Sequence, residues 1–302
     1  KAANKKAANK KAANKKAANK KAASRPEVSP MEGGGRRALP DKRGMERIIA
    51  GLFGGGNRGP VERAQEVMYE AWDSNNRRQK LALAREALEI SADCADAYVL
   101  LAEEASSSLE EATDYYRQGV EAGRRSLGDQ MFDEGVGHFW GLLETRPYMR
   151  ARAGLARCLW TAGHHDEPIE HYREMLRLNP GDNQGLRYPL LACLMQLGRD
   201  EEAIELQKQY EDDGMAGWTY AAALLRFRCE GDTAGARKVL GEAMEGNPHV
   251  PDLLLGKKRM PSRLPDYIGF GEESEAVVYV AENLASWKQT PDALDWLRSN
   301  SG

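Results

Sequence analysis

A chain of 302 residues with 41% apolar and 7% aromatic side chains can build one or two ordinary domains or a single elongated repeat array. Its formal charge of -3 is uneven: the first 22 residues hold nine lysines and no acid, which leaves 34 basic against 46 acidic residues, or -12, for the remainder. Such an acidic body is a poor general binder of nucleic acid, and the sequence has no run of roughly 18 to 20 apolar residues to span a membrane, so it reads as a soluble cytoplasmic protein.

Residues 1–23 repeat Lys-Ala-Ala-Asn-Lys, good helix formers with no apolar face to bury. They read as an appended tag or low-complexity tail, with a lysine arm touching nucleic acid as the sharper alternative. Residues 24–60 collect Gly, Pro and Arg and read as a linker, with Met45 as a candidate start of the underlying protein. From residue 61 the composition turns to Ala, Leu, Glu and Arg at helical spacing, with short turns at Gly or Asn-Pro.

Gly163, Gly198 and Gly231 recur at intervals of 35 and 33 residues, each after one apolar helix and before a second. A period near 34 is that of helix-turn-helix repeats. Arg150 to Pro180 is the best unit, with Leu155-Ala156, Gly163, Tyr172 and Asn179-Pro180 as landmarks; Gly198, Ala203 and Tyr210 mark the next, and Tyr220, Phe227, Gly231, Ala236 and Asn247-Pro248 another. Glycine permits the turn, alanine lets helices cross closely, and proline stops the second helix. Degenerate units precede these at 61–94 and from Ala97-Tyr98 through Tyr116, and residues 129–146 either extend the second of them or form a short separate helix. The expected fold is an all-α, right-handed α-solenoid of tetratricopeptide (TPR) repeats over 61–250, four to six helix pairs in all, with capping helices over 251–302 that cover the terminal repeat face.

Arg146-Pro147-Tyr148-Met149-Arg150-Ala151-Arg152 through Asp182-Asn183-Gln184-Gly185 resembles bacterial TPR proteins of uncharacterised role. Asn247-Pro248-His249-Val250-Pro251, with Glu275-Ala276-Val277-Val278-Tyr279 and Trp287, is similar to the C-terminal part of the suppressor of tumorigenicity seven proteins. Together the two likenesses cover about half the chain. They imply no catalysis and bring no catalytic residues.

Candidate chemistry is sparse. Gly54-Gly55-Gly56-Asn57-Arg58-Gly59 matches G-x-G-x-x-G in form but lacks the preceding strand of a dinucleotide site. His164 and His165, at the turn after Gly163, and His171, on the following helix, fit no zinc spacing, and solvated turn histidines are the favoured reading. Cys158, Cys193 and Cys229 fall on equivalent helices, too far apart for a disulfide, and with Cys94 read as reduced thiols, mostly buried packing residues. No cofactor, metal or catalytic group is expected.

In a TPR array the first helix of each pair lines the concave face that receives a partner. Arg146, Arg150 and Arg157 lie within about 40° of one another at 100° per residue, and Trp160, Tyr188, Gln196, Trp218 and Arg228 occupy corresponding positions. A basic and aromatic lining of this kind suits an acidic or C-terminal peptide. The alternative for each residue is a neighbouring Glu for the arginines and inter-repeat packing for the aromatics. The expected function is a non-catalytic scaffold or adaptor. Other readings are a nucleic-acid-associated or host-defence component using the lysine arm or Arg stripe, an enzyme with an inter-repeat site, and self-association.

Overall fold

The computed structural model describes Glu46 and residues 59–301. The lysine-rich repeat, nearly all of the expected linker and the glycine-rich match, Gly59 apart, lie outside the described residues. The described residues belong to one compact unit, and among them every regular element is helical.

Five helix pairs follow in chain order: α1 (Pro60–Asp73) and α2 (Arg77–Ile90); α3 (Ala95–Glu104) and α4 (Leu109–Glu134); α5 (Arg146–Thr161) and α6 (Asp166–Leu178); α7 (Arg187–Gln196) and α8 (Asp200–Gln209); α9 (Ala216–Glu230) and α10 (Ala234–Gly246). Each first helix packs on its own second helix, and each second helix on the next first helix. That succession, with α1 also against α3, α3 against α5 and α7 against α9, is the stacking of an α-solenoid.

Local sequence explains the boundaries. Asn76 caps α2 by accepting from the Arg78 and Gln79 amides at 3.0 and 3.4 Å, Ser108 caps α4 through the Glu111 amide at 3.1 Å, and Thr233 caps α10 through Ala236 at 3.1 Å. The three periodic turn glycines hold φ of +87°, +67° and +68° at 163, 198 and 231, the left-handed region where a Cβ is penalised. Gly154 serves a different end: a Cβ there would lie 2.0 Å from the Tyr116 ring, so the glycine lets α5 close on α4. Beyond Gly128, where α4 breaks at φ +70°, residues 129–134 form a short helical extension. Two 3-10 turns, Phe139–Gly141 and Leu143–Thr145, then lead into α5.

The C-terminal elements are α11 (Val250–Leu254), α12 (Glu273–Gln289) and α13 (Ala293–Asn300). α13 behaves as the cap expected from the sequence, stacking Trp296 on Phe227 at 4.4 Å and donating from Trp296 Nε1 to Asp232 at 2.9 Å. α12 does more than cover an end. It lies against both α7 and α9, the first helices of the last two pairs, and buries Ala276, Val277, Tyr279, Val280 and Trp287. A helix apolar on so much of its circumference needs burial on more than one side, and the inner face of α7 and α9 supplies it.

Candidate functional site

The first helices should present the partner-binding face, so the site is built along α3, α5, α7 and α9. Arg146 and Arg150 stand one turn apart on α5, and both close on carboxylates. Arg146 donates from Nη1 to Glu46 at 2.9 Å and from Nε to the Trp140 carbonyl at 2.9 Å. Arg150 bonds both oxygens of Glu46 at 3.2 Å and grips Asp96 of α3 with two parallel bonds of 2.8 and 2.5 Å. Asp96 is fully buried and also accepts from Gln65 Nε2 of α1 at 2.9 Å, while the Arg150 guanidinium sits 5.5 Å from the centre of the Trp72 ring. Burial opposes the charge on Arg150, but Asp96 and Glu46 more than offset it and raise its affinity for its proton. The cluster binds α1, α3 and α5 to Glu46.

Arg157, two turns further along α5, is exposed. The neighbouring side chains that favour its charge are Tyr116, Tyr172 and Glu103, and among the described residues it meets no carboxylate within ion-pair distance. Trp160, half-buried, stands edge-on to His165 at 5.6 Å.

The remaining predicted residues are engaged by the chain itself. Gln196 reaches the Glu282 carbonyl of α12 at 3.4 Å. Arg228 donates to Thr290 Oγ1 at 2.8 Å, the Ser286 carbonyl at 3.2 Å, the Met195 carbonyl at 2.9 Å and Asp200 at 2.8 Å. Both therefore fasten α12 to α7 and α9. Tyr188 donates to Asp213 at 2.7 Å and meets Trp218 edge-on at 5.8 Å. Trp218 is buried and borders an open cleft of about 370 Å³ between α8 and α10, with Ile204, Val239 and Glu242. That cleft is lined by the second helices α8 and α10 together with α9.

The sequence reading missed three side chains. Glu46 supplies the counter-charge to the Arg stripe. Arg187 sits among the rings of Tyr188, Tyr210 and Trp218, 4.6, 5.2 and 5.9 Å from their centres, and pairs with Asp182 and Asp213 at 3.0 and 2.8 Å. Glu275, buried on α12, accepts from the Ala216 amide, Asn247 Nδ2 and the Gly271 amide, each at 2.8 Å, and so caps α9 from outside its own sequence. An acid inside an apolar helix, as in Ala95-Asp96-Ala97 or Glu275-Ala276-Val277, signals a buried partner, although the sequence does not say which.

His164 and His165 are exposed, as read from the turn, whereas His171 is half-buried and accepts from Arg152 Nε at 3.1 Å. The cysteines differ from one another. Cys94 and Cys193 are buried, and burial pushes both thiols up to about 12. Cys158 is half-buried and Cys229 exposed, so the packing role expected of Cys229 does not hold; it lies on the solvent side of α9. Among the described residues no three His, Cys, Asp or Glu side chains meet in a group that could hold a metal, and no helix is long and apolar enough to cross a membrane.

The comparisons extend one expected resemblance and leave the bacterial label of the other without support. The family model described as "ST7 protein" matches residues 57–300, far beyond the C-terminal likeness read from the sequence. Suppressor of tumorigenicity 7 protein-like from Gallus gallus is 30% identical over 253 residues, covering 76% of this chain and 45% of that protein. The Bos taurus protein is 30% identical over 256 residues, 77% and 46%, and Protein ST7 homolog of Drosophila melanogaster 28% over 256 residues, 77% and 47%. These relatives are animal proteins, and the bacterial affiliation expected from residues 146–185 finds no support. Among solved structures, "Crystal structure of YrrB: a TPR protein with an unusual peptide-binding site" aligns with TM-score 0.44 and 18% identity over 66% of this chain and 91% of that one; the solenoid assignment rests on the helix pairs above. This chain spans slightly under half the length of the relatives it matches, and over its residues 57–300 it belongs to the ST7 protein family.

Proposed function

We propose that the chain is a non-catalytic scaffold that binds a carboxylate-bearing segment of a partner protein on the exposed stretch of α5 around Arg157 and Trp160. The observation that carries this reading is the unequal fate of one arginine stripe. Arg146 and Arg150 are already closed on Glu46 and Asp96, while Arg157 is exposed and, among the described residues, forms no ion pair with a carboxylate. The pairs made by Arg146 and Arg150 support this choice of ligand, a carboxylate held by the guanidinium fork. Because α12 occupies the inner face of α7 and α9, a partner segment is confined to the α3–α5 side, short of Gln196 and Arg228.

Fluorescence anisotropy with labelled glutamate-rich peptides and their amidated, glutamine-substituted counterparts tests the reading. Arg157→Ala, with helical content verified by circular dichroism, is expected to weaken the acidic peptide by about 10- to 100-fold, the worth of a hydrogen bond to a charged group. Equal affinity for the glutamine peptide, or unchanged binding by Arg157→Ala, would sink it.

A further inference from the structure

Five large hydrophobic side chains are exposed among the described residues, and three of them, Leu264, Tyr267 and Phe270, fall in the irregular segment between α11 and α12. Only Tyr267 and Phe270 exceed half exposure, at 66% and 65%. The same segment, Gly256 to Glu272, carries Lys257, Lys258, Arg259 and Arg263 against Asp266 and Glu272, inside a body whose balance is strongly acidic. Lys257 and Lys258 share their charge with Asp252 and Glu273 at 3.7 and 2.6 Å. Arg259 and Arg263 are exposed and have no ion-pair partner among the described residues.

The segment is not a frayed connection. Its backbone is tied at both ends: the Lys258 amide donates to the Asp252 carbonyl at 3.0 Å, the Gly269 amide to Ser274 Oγ at 3.0 Å and the Gly271 amide to Glu275 at 2.8 Å. The tip of the Phe270 ring lies close enough to Gly214 that a Cβ added there would be 3.4 Å away. One pinned segment thus carries two aromatic rings more than half exposed, Tyr267 with a long 3.4 Å bond to Glu272, and two exposed guanidiniums without ion pairs among the described residues, and exposed apolar area of this kind marks an interaction surface.

We infer that this loop is a docking surface for an anionic lipid headgroup layer, with Tyr267 and Phe270 entering the interface and Arg259 and Arg263 pairing with headgroup phosphates and carboxylates. Aromatic rings flanked by cations anchor at a bilayer surface by combining apolar burial with attraction to anionic lipid. The open cleft beside Trp218 is lined by α8, α9 and α10 and by residues 211 and 213, none from this loop, so that cleft does not supply the loop with a peptide site. The inference is independent of the Arg157 site, since different residues carry it.

Vesicle titration of the full chain at physiological salt tests it, with phosphatidylcholine alone and with phosphatidylserine added. Binding is expected to require phosphatidylserine. Arg259→Ala with Arg263→Ala should weaken it roughly 25-fold, about fivefold for each cation at the surface, and Tyr267→Ser with Phe270→Ser roughly tenfold or more. The lysine-rich residues 1–23 are present in every variant, so the differences belong to the loop. A Phe270→Trp variant provides a second readout: brominated lipid should quench the added tryptophan on binding. An introduced indole that stays unquenched on bound protein, absence of binding to anionic vesicles, or loop variants that bind like the parent would overturn the proposal. So would a polyglutamate peptide that binds through Arg259 and Arg263 while vesicle binding survives their loss, which would assign the loop to an acidic protein.

Discussion

Replacing Arg150 with methionine isolates the energetic role of the buried charge cluster. Methionine keeps most of the apolar stem and lets it lie against Trp72, but it strips Asp96 of its two 2.8 and 2.5 Å bonds and Glu46 of two more. Asp96 is then fully buried with, among the described residues, the side-chain amide of Gln65 as its remaining hydrogen-bond donor. Removing one member of a buried pair costs about 3–5 kcal/mol, because the other charge is left in a low-dielectric site. Glu46 keeps Arg146, so the lower half of that range is expected. At about 2–4 °C per kcal/mol for a body of this size, the melting point should fall by roughly 6–15 °C. The second arm is the double variant Arg150→Met with Asp96→Leu, in which no lone charge remains between α3 and α5. It should recover more than half of the loss, giving a coupling energy above about 1.5 kcal/mol. Thermal melts followed by far-ultraviolet circular dichroism measure both arms. A single variant that melts within about 1 °C of the parent, or a double variant no more stable than the single, would refute the account of the cluster as a paired, desolvated keystone.

Two further outcomes follow from the site chemistry. Burial first, and then the neighbouring Arg152, lower the proton affinity of His171, so as pH falls below the ordinary histidine value of about 6.5 the unfolded chain takes up a proton that the folded one resists; stability should rise with pH through that window, and His171→Gln should flatten melting points compared at pH 5.5 and 7.5. Among the cysteines, Cys229 should react first with a thiol reagent in the native protein, while Cys94 and Cys193, held protonated by burial, should react only on unfolding; rapid native labelling of Cys193 would contradict the packing of α7.

The helical class and the repeat register were legible because both are local. Left-handed glycines at 163, 198 and 231, alanines where helices cross, and Asn-Pro at helix ends each act within a turn or two of the chain, and their 33- and 35-residue spacing expresses one supersecondary unit used repeatedly. The arginine stripe on α5 was legible for the same reason, being a matter of 100° per residue. What the stripe meets was not, since Glu46 lies 100 residues before Arg146 and Asp96 lies 54 before Arg150, and nothing in helical periodicity ties such distant carboxylates to those positions.

The seating of α12 likewise escaped a one-dimensional reading. Its apolar run announced burial, but whether it would cover the end of the array or lie along α7 and α9 depended on which face offered matching surface, and on Gln196, Arg228 and Glu275 finding their partners there. The sequence by itself thus determined helix, turn and repeat, where the deciding interactions close within a few residues. The tertiary structure alone decided which part of the first-helix face stays open, because buried charges and apolar helices choose partners by proximity in space, and that proximity exists only once the pairs have stacked.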